Sequence, residues 1–183
     1  MKTRLIFFVL AIGLIPLVLT TSCSKIKELT AVPVTYQLPR TNFLYTPSKV
    51  KSGEEILYSA FVRINIDSLL SAYGLSSGAV ENPAFTQFSI SIDLPAEANF
   101  GWMTSVRAIV SDNASFVPEV PMGSAVNNGG TGRTVILTVN NSNIPFGNNG
   151  FYIQILATLN GAVPYQWIGM YFNGTLKLTL QPI

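Results

Sequence analysis

The feature that most narrows the choice of fold is a period of two in the apolar residues. Phe88, Ile90, Ile92 and Leu94 alternate with Ser89, Ser91 and Asp93, which describes a strand with one dry face and one wet one. The same rhythm puts Ile56, Tyr58, Ala60, Val62, Ile64 and Ile66 on one side of a strand over about 55–66, opposite Ser59, Arg63 and Asn65. It returns in Trp102, Thr104, Val106, Ala108 and Val110, and in Val135, Leu137 and Val139. Phe151, Ile153, Ile155, Ala157 and Leu159 repeat it, as do Leu176, Leu178 and Leu180. Weaker runs at 33–38, 116–122 and 165–172 bring the expectation to eight or nine strands. Asn-Gly pairs at 128–129, 149–150, 160–161 and 173–174 read as hairpin turns, because both residue types tolerate positive φ. One helix interrupts the pattern: Asp67 is placed to cap Ser68–Tyr73, and Gly74 to stop it in the left-handed conformation. Half-wet strands with one short helix near 67–73 predict an all-β antiparallel sandwich, immunoglobulin-like or jelly-roll, with a closed barrel as the alternative.

Ahead of the strands stands a different kind of segment. Lys2 and Arg4 precede the uncharged run Leu5–Leu19, which is shorter than the ~20 residues a spanning helix needs and carries Pro16 near its end. Residues 1–22 therefore read as a secretory signal. The sequence Leu19-Thr20-Thr21-Ser22-Cys23 that closes it resembles a bacterial lipoprotein lipobox of the looser kind found in Bacteroidetes lipoproteins. The leucine stands one place further from the cysteine than in the usual pattern. The resemblance implies cleavage before Cys23 and acylation (palmitate) of that residue, the sole cysteine of the chain. A lone thiol in an oxidising compartment is a liability, and two or three acyl chains on one residue suffice for stable anchoring. Residues 23–32 then form the lipidated cysteine and a tether, and 33–183 a single domain. No Asp follows Cys23, and an acidic export tag is also missing. The expected location is therefore the outer membrane, with the leaflet left open.

Charge and composition exclude several classes of function. Cleavage before Cys23 leaves 161 of the 183 residues, with nine basic residues (eleven less Lys2 and Arg4) against nine acidic ones. A neutral body lacks the electrostatic footprint of a nucleic-acid binder. The chain has no His, so serine–histidine triads and imidazole-ligated zinc are excluded. No cofactor is implied. Gly129-Gly130-Thr131-Gly132-Arg133-Thr134 fails the phosphate-loop pattern in spacing, in Arg for Lys, and in leading to a strand; it reads as a loop. Asp112-Asn113 and the Asn clusters at 140–143 and 148–149 offer oxygens, but no calcium-loop spacing is present, and no metal or catalytic residue is assigned.

Two candidates for modification or binding remain besides Cys23. Asp67-Ser68-Leu69 resembles the short sequon for O-glycosylation in Bacteroides-type bacteria, with Ser68 as acceptor. Tyr165, Trp167 and Tyr171 share parity, while Ile168, Met170 and Phe172 occupy the opposite, apolar face. The rings are thus expected outward, with Gly169 leaving a gap that admits a flat sugar between Trp167 and Tyr171. The leader, the loose lipobox, the segment Val62–Leu75 and the β-rich remainder together resemble small Bacteroidetes lipoproteins of uncharacterised function. The resemblance implies an envelope location and a sandwich fold. The resulting expectation is a non-enzymatic, membrane-tethered lipoprotein that binds a glycan or an envelope protein, or serves as a structural accessory. Its rivals are a subunit of a surface or fimbrial assembly and a glycoside hydrolase using two carboxylates.

Overall fold

A computed structural model describes residues 31–48, 53–76, 78–140, 144–147 and 149–182; the signal segment, Cys23 and the tether up to residue 30 lie outside the described residues. The elements are β1 (Val32–Gln37), β2 (Thr41–Tyr45), β3 (Gly53–Arg63), α1 (Ile66–Ala72), β4 (Gly78–Leu94) and β5 (Met103–Ser111). They continue with β6 (Val120–Val126), β7 (Thr134–Ile136), β8 (Thr138–Val139), β9 (Gly150–Leu159) and β10 (Ile168–Pro182). One sheet, A, runs β1-β10-β4-β7 with β2 also on β10, and the other, B, runs β3-β9-β5-β6-β8. All pairings are antiparallel, and they nest: β1 and β2 pair with β10, β3 with β9, β4 with β7, and β5 with β6. A chain folded back on itself in this way and rolled into two sheets is a jelly roll. The fold is an all-β sandwich, and the nesting selects the jelly roll over the immunoglobulin-like arrangement.

β10 shows how the sequence builds the core. Ile168, Met170, Phe172, Gly174, Leu176, Leu178 and Leu180 are all buried, while Gly169, Tyr171, Asn173, Thr175 and Lys177 face out. The inward rings interlock: Phe172 lies 5.4 Å from both Tyr58 and Phe88, and Phe85 meets Phe88 edge-on at 5.5 Å. The expected turn at Asn173-Gly174 is instead the middle of this strand. A Cβ on Gly174 would lie 2.8 Å from Phe85 Cε1, 3.1 Å from Leu38 Cδ1 and 3.2 Å from Phe88 Cδ2, so this glycine serves close packing and not a turn. Of the four Asn-Gly pairs, Asn128-Gly129 does have both residues at positive φ (47° and 74°).

Bulges explain where the simple alternation fails. Ile56 pairs with Leu156 and Tyr58 with Ile155, so Leu57 is an extra residue and the parity resets. Leu57 is buried and Ile56 exposed, the reverse of the expectation at that point. A similar shift at the end of β4, between Gly169 and Met170 of its partner, turns Leu94 outward. The helix also starts earlier than expected. Asn65, not Asp67, is the N-cap, its Oδ1 accepting from the Ser68 amide at 3.0 Å. At the other end Gly74 has φ +71°, and the Gly74 and Leu75 amides reach the Ser71 and Leu70 carbonyls, both at 3.0 Å, which is a Schellman stop.

Candidate functional site

The outward residues of β10 form the spine of sheet A's outer face, and the register supplies their neighbours. Gly169 lies between Leu44 of β2 and Leu94 of β4, and Tyr171 between Asn42 and Ser91. Asn173 adjoins Ser89, which pairs in turn with Ile136 of β7, while Thr175 lies between Gln37 and Gln87. A Cβ on Gly169 would sit 3.4 Å from Leu94 Cβ, so Leu94 leans over the same face. Leu44 and Leu94 flank the glycine about 10 Å apart. They are 64% and 53% exposed, and Trp167, two residues before the glycine, is 45% exposed. Large apolar groups left in water on one row cost free energy and mark contact surfaces.

The division of faces expected for 165–172 therefore holds: Ile168, Met170 and Phe172 are core, and Trp167 is outside it. Its counterpart Trp102 is buried and stacks on Tyr45 at 5.8 Å. Tyr171 has a different role from the one expected. The Arg40 guanidinium lies over its ring, 3.7 Å from the centroid, a cation–π contact. Arg40 also pairs with Asp93 at 2.9 Å and donates to Asn42 Oδ1 at 2.9 Å. One face of Tyr171 is thus already covered, and Trp167, Leu44 and Leu94 border the exposed surface beside it. Arg40 and Asp93 neutralise each other beside it.

The loop that carries Leu94 is held by a residue that sequence reasoning set aside. Arg133 Nη1 donates to the carbonyls of Pro95 (3.0 Å), Ala98 (2.9 Å) and Ala96, and Nη2 to those of Ile92 (3.1 Å) and Asp93 (2.9 Å). The glycine-rich segment thus ends in an arginine that binds main-chain carbonyls of its own fold. Tyr165 Oη donates to the Glu97 carbonyl at 3.3 Å in the same loop, so Tyr165 supports the site and Trp167 borders it. Leu44 did not stand out in the sequence and Leu94 was expected on the dry face, because only strand pairing brings the two to Gly169.

The remaining candidates are placed as follows. Ser68 is exposed in the first turn of α1. Tyr152, another ring on an outward face, packs edge-on against Phe61 and Phe116 at 5.1 and 6.4 Å. Glu54 and Glu119 both approach Arg107 on the outer face of sheet B, Glu54 in a two-pronged contact at 2.7 and 2.9 Å. Arg107 holds the Glu54 carboxyl below its ordinary range, partly offset by burial. Inside the sandwich, Tyr45 Oη, Glu55 Oε2 and Trp102 Nε1 are buried without hydrogen-bond partners among the described residues. Burial, then the nearby Glu55 carboxylate, pushes the Tyr45 phenol far above its usual value, which keeps it protonated and unreactive. Among the described residues no group of three or more carboxylates or thiols converges on a metal-sized space, and no helix is long and apolar enough to cross a membrane.

No protein-family model and no curated protein matches this sequence. Among solved structures, the chain is similar to one of Desmodium yellow mottle tymovirus, at 11% identity over 83% of this chain and 90% of that one, with a TM-score of 0.29. It is also similar to infectious bursal disease virus, Gx strain (11% identity, 82% of this chain, 32% of that one, TM-score 0.32). Turnip yellow mosaic virus gives 13% identity over 83% of this chain and 96% of that one, with a TM-score of 0.27. TM-scores this low carry no argument, and the fold rests on the strand pairing described above.

Proposed function

We propose that this chain is an outer-membrane-tethered, non-enzymatic lipoprotein that binds a glycan on the outer face of sheet A. The observation that carries the reading is the row Leu44–Gly169–Leu94 with Trp167 at its border, an exposed apolar strip beside the paired charges of Arg40 and Asp93. Sugars offer such strips their apolar C–H faces while their hydroxyls meet polar neighbours. Val32, where the described fold begins, pairs with Leu180, whereas the leucines pair with Gly169. The strip therefore lies about 36 Å along β10 from the level of Val32.

The rival reading, a subunit of a surface assembly, would use β3, an edge strand of 11 residues in sheet B. Its charges at Glu54, Glu55 and Arg63 and its bulge at Leu57 are features that blunt edge pairing. Two measurements test the proposal. Cys23→Ser should abolish acyl labelling and release the protein from membranes; unchanged membrane association would refute the anchor. Trp167→Ala should lose glycan binding on an array of neutral polysaccharides while keeping its fold, and undiminished binding would move the site elsewhere.

A further inference from the structure

A groove of about 480 Å3 lies further along the same face, past the row of Tyr171 and Arg40, and is lined on β1, β4, β7 and β10. We infer that this groove is a second saccharide subsite, so that the ligand is a neutral linear oligosaccharide lying along β10 and not a single sugar; the inference rests on the glycan reading above.

The argument begins with the chemistry of the lining. Gln37, Gln87 and Asn173 present amides, Ser89 and Thr175 hydroxyls, and Ile136, 73% exposed, an apolar flank. No lining residue carries a charge, so neither an anion nor a cation finds a partner there. In the next row toward the strip the polar groups are occupied by one another: Ser91 with Thr134 at 2.8 Å, and Arg40 with Asn42 and Asp93. Among the described residues, the side chains of Gln37, Gln87, Ser89 and Asn173 have no such partners. Amides supply both donors and acceptors, which suits hydroxyls that are themselves both.

An extended peptide fits less well. Peptides recognised through their main chain need an open strand edge, and the groove floor is made by β10, paired on both sides, and by β4, paired with β10 and, over Ser89–Ser91, with β7. Both ligand halves are accounted for: C–H faces over Leu44, Leu94 and Trp167, hydroxyls over the amides. From Gly169 to Thr175 the face runs about 20 Å, longer than a disaccharide and close to a tetrasaccharide.

The test is calorimetric titration of the purified mature protein with cello-, xylo-, malto- and chito-oligosaccharides, each from disaccharide to hexasaccharide. For the series that binds, affinity should rise up to the tetrasaccharide and then level off. Gln87→Ala and Asn173→Ala should each weaken the tetrasaccharide about tenfold and leave the disaccharide unchanged, with unaltered melting temperatures. Trp167→Ala should weaken both lengths. Affinity independent of length, or indifference to both amide variants, overturns the groove while leaving the Trp167 strip standing. Loss of binding in the amide variants with none in Trp167→Ala overturns the strip and keeps the groove. If no series binds, the glycan reading and this inference fall together.

Discussion

Arg133 offers the sharpest test of how the site is held. Its guanidinium meets five carbonyls of the segment that carries Leu94, and the bonds to Ile92, Pro95 and Ala98 are partly buried while those to Asp93 and Ala96 are exposed. Exposed bonds exchange freely with water and count for little. Three partly buried bonds from a cation, weighted at about 1 kcal/mol each because Nη1 shares its hydrogens among several acceptors, give about 3 kcal/mol. Arg133→Met keeps the apolar stem and removes the fork, so it should lower stability by that amount and the melting temperature by about 6–12 °C. Arg133→Lys should recover no more than about a third, because one ammonium cannot span both sets of carbonyls. Urea unfolding gives the free energy, and hydrogen exchange locates it. The amides of Ala98 and Phe100, bonded to the Pro95 and Gly132 carbonyls, should exchange faster in the variant while those of β9 do not. A loss below about 1 kcal/mol with unchanged exchange at Ala98 would refute the clamp.

Four further variants test the packing and the charges. Gly174→Ala pushes a methyl against Phe85, Leu38 and Phe88 and should cost about 1–3 kcal/mol by denaturant unfolding; a neutral result would mean that the cluster has room. Phe172→Ala, at a fully buried ring, should cost about 3–5 kcal/mol. Trp167→Ala should cost no more than about half as much, since nearly half of that residue already meets water; equal drops in melting temperature would place Trp167 in the core. The Glu54 carboxyl is lowered by Arg107, so the pair's contribution is present above the unfolded carboxylate value and fades as pH falls through the lower folded one. Both partners are more than a third exposed, so Arg107→Met should cost at most about 1 kcal/mol at neutral pH, a cost that fades as pH falls through the lowered folded carboxyl value.

What could be read in advance depended on whether the cause was local. The faces of β9 and β10 were legible because their inward apolar residues recur with a period of two, and that division already separated Trp167 from Ile168 and Phe172. The causes of the misreadings lie across the sheet. Asn173-Gly174 resembles a turn until Phe85, Phe88 and Leu38 are packed against the glycine. β2, only five residues long, leaves too few alternations to be recognised. The site follows the same rule: Trp167 carries its own signal, whereas Leu44, Leu94 and the amide row become a surface only through their common neighbour β10.

That strand also sets an order in time. β1 and β2 meet no other strand of sheet A than β10, and β4 has only the three residues of β7 on its other side. Val32 and Leu180, partners in the ladder, are about 150 positions apart, so closing that contact requires nearly the whole chain. Non-local pairing of this kind slows folding. Sheet B can begin from β5 and β6, which adjoin in sequence and in space. Sheet A has to wait until residues 168–182 are released, whether from a ribosome or a translocation pore. Until then β1, β2 and β4 are open edges, and a chain cut before Ile168 keeps them so. The last strand to arrive is the one that turns three unpaired edges into one continuous sheet.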